Sequence, residues 1–254
     1  MKTLSYGIHS GNNGGIVADS FFVLRKLLDR LEDSKTGILK EKSLFPDIPE
    51  IRINQMNIQA NIVKEIYIKS IPFYGMTKPL DNDIATLIKR NTWCPALAII
   101  GGDGFPEASI SGNVLRPFST LKLSIRVPPL IDTAVAVEKL SLILKENPPY
   151  NVIIETTGFS ASDGWNLNEK NFSSRLTSII NKSSLMYFNE EVQFCGQGCS
   201  IPFVQCFSIN FPLAELIVLG VTGPASNCHG PDENLDLDYT KKLICCLTNL
   251  IKDY

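Results

Sequence analysis

Leu121, Leu123, Ile125 and Val127 alternate with Lys122, Ser124 and Arg126, and Pro128-Pro129 end the run. Strict period-two alternation marks a strand with one buried and one solvated face, and it puts Arg126 on the polar side. A strand of that kind needs an apolar helical layer beneath it. The sequence supplies one at once: Asp132 can cap a helix whose Val137, Leu140 and Leu144 form a stripe before Pro148-Pro149. Near the start, Leu4, Tyr6 and Ile8 alternate with Thr3, Ser5, Gly7 and His9, so His9 also falls on a polar face. The glycine-rich HSGNNGG (9 to 15) reads as a turn, after which Asp19 or Ser20 caps a helix carrying Leu24, Leu27, Leu28 and Leu31, ending near Thr36-Gly37. Ala96 to Ile100 reads as a buried strand ended by Gly101-Gly102-Asp103-Gly104, and Val152 to Ile154 starts another.

The order is strand, helix, irregular insert, strand, strand, helix, strand. It predicts an α+β layer, an antiparallel sheet with helices on one face, over residues 1–158. The insert, 38–93, is proline-bearing and holds two modest helical patterns, around 56–69 and 81–90. Residues 159–254 differ in character: a helix over 172–187, GQGCSIPF (196 to 203) running into a further helix, an apolar strand over 215–221, a turn-rich loop and a C-terminal helix. A strand apolar on both faces implies a parallel sheet, so this part is expected to be a partial α/β segment.

Composition excludes several roles. The chain has 254 residues, 44% hydrophobic, with 24 basic and 26 acidic side chains giving a formal charge of −2. That is enough for a core, and it leaves no basic footprint for nucleic acid or an anionic membrane. The longest apolar stretch, around Leu216–Val221, is far below the ~20 residues that span a bilayer. No signal-peptide core follows Met1-Lys2, so a cytoplasmic protein is expected. Seven cysteines, with Cys245 and Cys246 adjacent, read as free thiols in a reducing compartment.

Both histidines, His9 and His229, lie in glycine-bearing loops. His229 sits in GPASNCHGPDE (223 to 233), between an apolar strand and a capped helix, where open α/β sheets bind ligands. Four stretches in order, HSGNNGG (9 to 15), SGNVLRP (111 to 117) with SIRVPP (124 to 129), GQGCSIP (196 to 202) and GPASNCHGPDE (223 to 233), resemble landmarks of the dinuclear-zinc exopeptidases and deacylases related to carnosinase, aminoacylase and bacterial carboxypeptidases. The resemblance covers nearly the whole chain. It implies that 1–158 is a lid, or dimerisation, domain and 159–254 the C-terminal segment of a catalytic domain. The implied substrate is a small peptide or N-acyl amino acid, and two zinc ions are the implied cofactor of the complete enzyme.

By the same resemblance His9 is the catalytic histidine that reaches a partner subunit's site and holds the scissile carbonyl oxygen. Asn113 and Arg126 bind the substrate's polar end and carboxylate, and His229 is a zinc ligand. The physical logic agrees: a donor opposite the metals stabilises the tetrahedral oxyanion, and a guanidinium fork suits a carboxylate. The loop Gly198-Cys199-Ser200 could offer backbone N–H groups to that carboxylate at a helix N-terminus, or be a plain turn into the helix.

The departures point to an incomplete enzyme. The family's His-x-Asp, bridging Asp, Glu-Glu base pair and further acidic ligand are missing, and the only Glu-Glu, Glu190-Glu191, falls elsewhere among the landmarks. One zinc ligand of about five cannot build a two-metal site. The chain is therefore expected to be inactive alone, with a separate N-terminal catalytic half and a homodimer through the lid as candidate partners. Two alternatives stay open. One is a non-catalytic dimerising remnant. The other is a small Cys/His module in which Cys195, Cys199, Cys228 and His229 hold structural zinc.

Overall fold

The computed structural model describes residues 1–167, 172–198, 201–224 and 226–254. In chain order it contains β1 Ile8–His9, α1 Ser10–Asn13, α2 Ser20–Leu31, α3 Glu50–Lys69, α4 Ile84–Thr92, β2 Ala96–Asp103, β3 Val114–Leu115, β4 Thr120–Arg126, α5 Thr133–Lys145, α6 Ser174–Phe188, α7 Pro202–Asn210 and α8 Leu237–Asp253. The chain divides into two compact units. The first is Met1–Asp47 with Trp93–Gly164, and the second is Ile48–Thr92 with Trp165–Tyr254. The insert, read from the sequence as part of a continuous lid, thus groups with the C-terminal part from Ile48 to Thr92.

In the first unit β2 pairs antiparallel with β4, from Ala96 opposite Arg126 to Asp103 opposite Thr120. The alternation of β4 turns Leu123 and Ile125, with Leu97 of β2, onto a cluster of Leu31, Leu39, Leu44, Ala136 and Leu140. Leu121 joins a second cluster around Val23, Leu24 and Leu27. Both clusters draw on α2 and α5, so the helices cover one face of the ladder. Asp19 caps α2 by accepting from the N–H groups of Phe21 (2.9 Å) and Phe22 (3.2 Å), and Asp132 caps α5 in the same way. Between the layers the hydroxyls of Ser20 and Ser119 are fully buried and bond each other at 2.7 Å, which removes the cost of burying either alone.

Three expectations change. The N-terminal strand is reduced to Ile8–His9, because residue 117, which faces Thr3 and Leu4, is a proline: its carbonyl accepts their N–H groups, but it has no N–H to return. At β2 the pairing skips a residue between Ile99 and Gly101, so Ile99 and Ile100 are both left half-exposed, at 52% and 58%, instead of buried. Val152 to Ile154 makes only a single bridge, Ile153 to Lys2.

In the second unit α3 packs on α4 and α6 on α8. Helix α3 breaks at Lys64, whose φ of 43° lies in the left-handed region. The expected parallel strand over 215–221 is absent: among the described residues every strand lies in the first unit, and Val218 and Leu219 are about half-exposed. The fold is thus mixed α/β with small antiparallel ladders, and no parallel sheet forms among the described residues. No described helix is long and apolar enough to cross a membrane.

Candidate functional site

The site is built from the first unit upward. Strand β1 pairs with β3, Ile8 opposite Leu115 and His9 opposite Val114, and the Ser10 N–H extends the pair by donating to the Asn113 carbonyl at 2.9 Å. Gly7 permits this approach, since a Cβ there would stand 2.8 Å from Val114 Cγ1. His9 thus lies across from Val114, the neighbour of Asn113, and both His9 and Asn113 are exposed.

His9 also caps the single turn of α1. Its Nδ1 accepts from the N–H groups of Gly11 (3.1 Å) and Asn12 (3.3 Å), while its carbonyl accepts from Asn13 Nδ2 at 3.0 Å. The ring lies so close to the turn that a Cβ on residue 11 would be 2.9 Å from His9 Cε1, which explains the glycine of His-Ser-Gly. An Nδ1 occupied as an acceptor fixes the tautomer: the neutral ring carries its hydrogen on Nε2. The outward group of an exposed imidazole is then an N–H donor.

Arg126 stands exposed at the end of β4, opposite Ala96, in the ladder that does not contain His9. A different arginine, not singled out by the sequence reading, directly follows β3, the strand that pairs with His9. Arg116, two residues beyond Val114, stacks over Phe105 with 4.8 Å from Cζ to the ring centroid, and its Nη2 lies 3.8 Å from Asp19 Oδ2. Its place inside SGNVLRP was the available signal.

In the second unit Gly198 presses on the end of α4, where a Cβ would meet Asn91 side-chain and backbone atoms at 2.6 Å. This glycine serves a close approach between segments. Cys199 and Ser200 lie outside the described residues. Helix α7 begins at Pro202, and Ile201 at its cap gives no side-chain hydrogen bond.

His229 is exposed with φ 62°, between two other left-handed residues, Asn227 and Asp232. The loop is closed by its own bonds: Gly230 N–H to the Asn227 carbonyl (2.8 Å), Gly223 N–H to the buried Ser226 Oγ (2.8 Å), Asn234 N–H to the Ser226 carbonyl (3.0 Å), and His229 N–H to Glu233 Oε2 (3.4 Å). Holding an imidazole on a left-handed backbone costs on the order of 1 kcal/mol, and such strain gathers at functional positions.

The residues present do not fit a two-zinc centre. Among the described residues no three His, Cys, Asp or Glu side chains are grouped to hold a metal ion. That covers Cys195, Cys228 and His229 of the alternative structural site. Burial pushes the Cys195 thiol up from its ordinary value.

No protein-family model matches the chain. It is 22% identical over 245 residues to the cysteinylglycine-S-conjugate dipeptidase of Corynebacterium striatum, covering 93% of this chain and 50% of that protein. It is 26% identical over 255 residues to the Cys-Gly metallodipeptidase DUG1 of Saccharomyces cerevisiae, covering 92% and 48%. The M20 family metallo-carboxypeptidase Sso-CP2 of Sulfolobus solfataricus shares its fold, with a TM-score of 0.77 over 100% of this chain and 56% of that one at 20% identity. The homologues and structural neighbours of this chain are thus M20 family metallodipeptidases and carboxypeptidases, the group its four motifs resemble. The chain spans about half the length of the curated relatives it matches.

Proposed function

We propose that this chain supplies the lid and the C-terminal catalytic segment of a zinc-dependent dipeptidase or amide deacylase, and that the metal ligands other than His229 come from polypeptide outside this sequence. The observation that carries the reading is the His9 platform: an exposed imidazole whose Nδ1 is held by two backbone N–H groups, leaving Nε2–H as a fixed donor. A donor preorganised in this way suits a developing oxyanion, because no reorganisation is needed as charge appears. In this reading Asn113 takes the substrate's polar end, Arg126 takes its carboxylate, and His229 adds one ligand to the metal centre. The half-exposed Ile99 and Ile100 on the β2 edge support a homodimer through the lid.

The test is kinetic. The 254-residue chain with added zinc is expected to leave dipeptides uncut, and sustained zinc-dependent hydrolysis through repeated purification defeats the reading. In an assembled enzyme His9→Ala is expected to lower kcat by ~10²-fold or more, as loss of an oxyanion donor does. Arg126→Ala is expected mainly to raise KM for substrates with a free carboxylate. An unchanged kcat in the His9 variant removes that residue from the chemistry. Sedimentation of a monomer at micromolar concentrations removes the dimer.

A further inference from the structure

The His9 platform has no core of its own. Turn α1 is four residues long and buries none of them, and β1 and β3 are two residues each. A single helical turn is marginal in water, so its geometry must come from whatever fixes its two ends. One end is the β1–β3 pair, with the Ser10 N–H bonded to the Asn113 carbonyl at 2.9 Å. The other is Asp19, where the chain enters α2 and whose Oδ1 accepts from the Phe21 and Phe22 N–H groups.

Arg116 joins the two ends. It follows β3 directly, and its Nη2 lies 3.8 Å from Asp19 Oδ2, the carboxylate oxygen that the cap does not use. Its Cζ stands 4.8 Å from the centroid of Phe105, and Phe105 meets Phe21 of α2 edge-on at 5.6 Å. Phe105 is placed in turn by Gly104, whose φ is 86° and where a Cβ would stand 2.6 Å from the Phe118 carbonyl oxygen. A guanidinium over a ring and partly out of water makes a firmer contact than an exposed ion pair. Arg116 Nε is buried with no acceptor among the described residues. A buried donor left unpaired costs stability, so this side chain is set by what its outer end joins and not by its own hydrogen bonding.

We propose that Arg116 is the positioning residue of His9. By tying the strand opposite His9 to the cap and first ring of α2, it fixes both ends of the segment 9–19 and keeps Nδ1 on the Gly11 and Asn12 N–H groups. It acts through the backbone of β3 and not by touching the substrate. The inference rests on the proposed role of His9 and adds the residue that makes that donor rigid.

The chain has two histidines, so the His9 ring nitrogens can be followed by long-range proton–nitrogen correlation, with His229→Gln giving the assignment. At about pH 8, where an ordinary imidazole is neutral, the parent is expected to show the Nε2–H tautomer alone. Arg116→Ala is expected to bring in the Nδ1–H form and to speed hydrogen exchange at Gly11 and Asn12 about tenfold or more, while Ala134 and Val135 at the cap of α5 exchange as before. Asp19→Asn removes the charge and keeps the cap, since asparagine caps as well as aspartate, and is expected to move the same signals by less. Arg116→Lys is expected to restore only part, because an ammonium cannot lie flat on Phe105. In an assembled enzyme Arg116→Ala is expected to lower kcat about tenfold or more with KM little changed, and to add nothing to His9→Ala. An unchanged tautomer with unchanged exchange overturns the proposal. So does faster exchange spread equally over the α5 cap in both Arg116→Ala and Asp19→Asn, which reduces the contact to general stability. Shifted His9 signals with an unchanged kcat keep the positioning role and defeat the function proposed for His9 instead.

Discussion

The two units of this chain solve the same problem with different completeness. In the first, α2 and α5 lie on one face of the β2–β4 ladder, and nine large or small apolar side chains from Val23 to Leu140 are buried. In the second, only Met56, Ile88 and Leu176 reach that state among the described residues, although its sequence is at least as apolar in the run after Gly198. Amphipathic helices and half-buried strands can finish a core among themselves, whereas a strand apolar on both faces needs neighbours on both sides. The contrast teaches where the chain is self-sufficient and where it is not.

Substitution in the two units sharpens the contrast. Leu31→Ala in the first unit is expected to cost about 2–5 kcal/mol in urea unfolding, because Leu31 is fully buried and leaves a cavity. Leu213→Ala, at 90% exposure in the second, is expected to cost within about 0.5 kcal/mol in the same chain. Equal losses at the two positions break the comparison.

A smaller effect separates packing from capping. Arg30 of α2 donates to the carbonyls of Ile143 (3.1 Å), Glu146 (2.5 Å) and Asn147 (2.6 Å), closing the C-terminal end of α5 where cations are favoured. Arg30→Ala is expected to lower stability by about 1–3 kcal/mol, and Arg30→Lys to recover only part, since one ammonium cannot reproduce the planar fork. Full recovery by lysine reduces the contact to charge alone.

The smallest effect is pH-dependent. Glu41 accepts from Ser43 Oγ and N–H and meets Lys139 at 3.1 Å, and these partners lower its carboxyl from 4.5 to about 2. A lowered folded value means the contribution is complete above 4.5 and is lost as pH falls toward about 2. Glu41→Gln is therefore expected to destabilise by no more than about 1 kcal/mol at neutral pH, as for a partly exposed ion pair. The difference from the parent should shrink across that acid window, and a difference constant from neutral to acid pH removes the ionised contact as its cause.

Much of the first unit was legible in the sequence because its signals are local. Asp19 and Asp132 announce two helix starts, and the alternation over Leu121 to Val127 orients β4 correctly. What failed required knowledge of a partner segment. The N-terminal strand shortens because of Pro117, more than a hundred residues away, and the bulge at Ile100 cannot be seen in an unbroken apolar run. The 215–221 strand was read from its own composition, which says nothing of whether neighbours exist. For the site, the motifs offered His9 and Asn113 as candidates, and the β1–β3 pairing puts His9 across from Val114, the residue after Asn113. The capping bond that chooses the ring tautomer is invisible in sequence, since histidine is not among the usual cap residues.

The chain crosses between its units three times, after Asp47, Thr92 and Gly164. A ribosome therefore never delivers either unit as a finished stretch. Residues 48–92 emerge before the C-terminal part they pack against has been translated, and must wait through the synthesis of some seventy further residues, roughly several seconds at ordinary elongation rates. Meanwhile the opening segment idles until β4 and α5 arrive to complete its core. Neither unit can be excised by a single cut, and a premature stop anywhere before the last helices strands the insert as well as the tail.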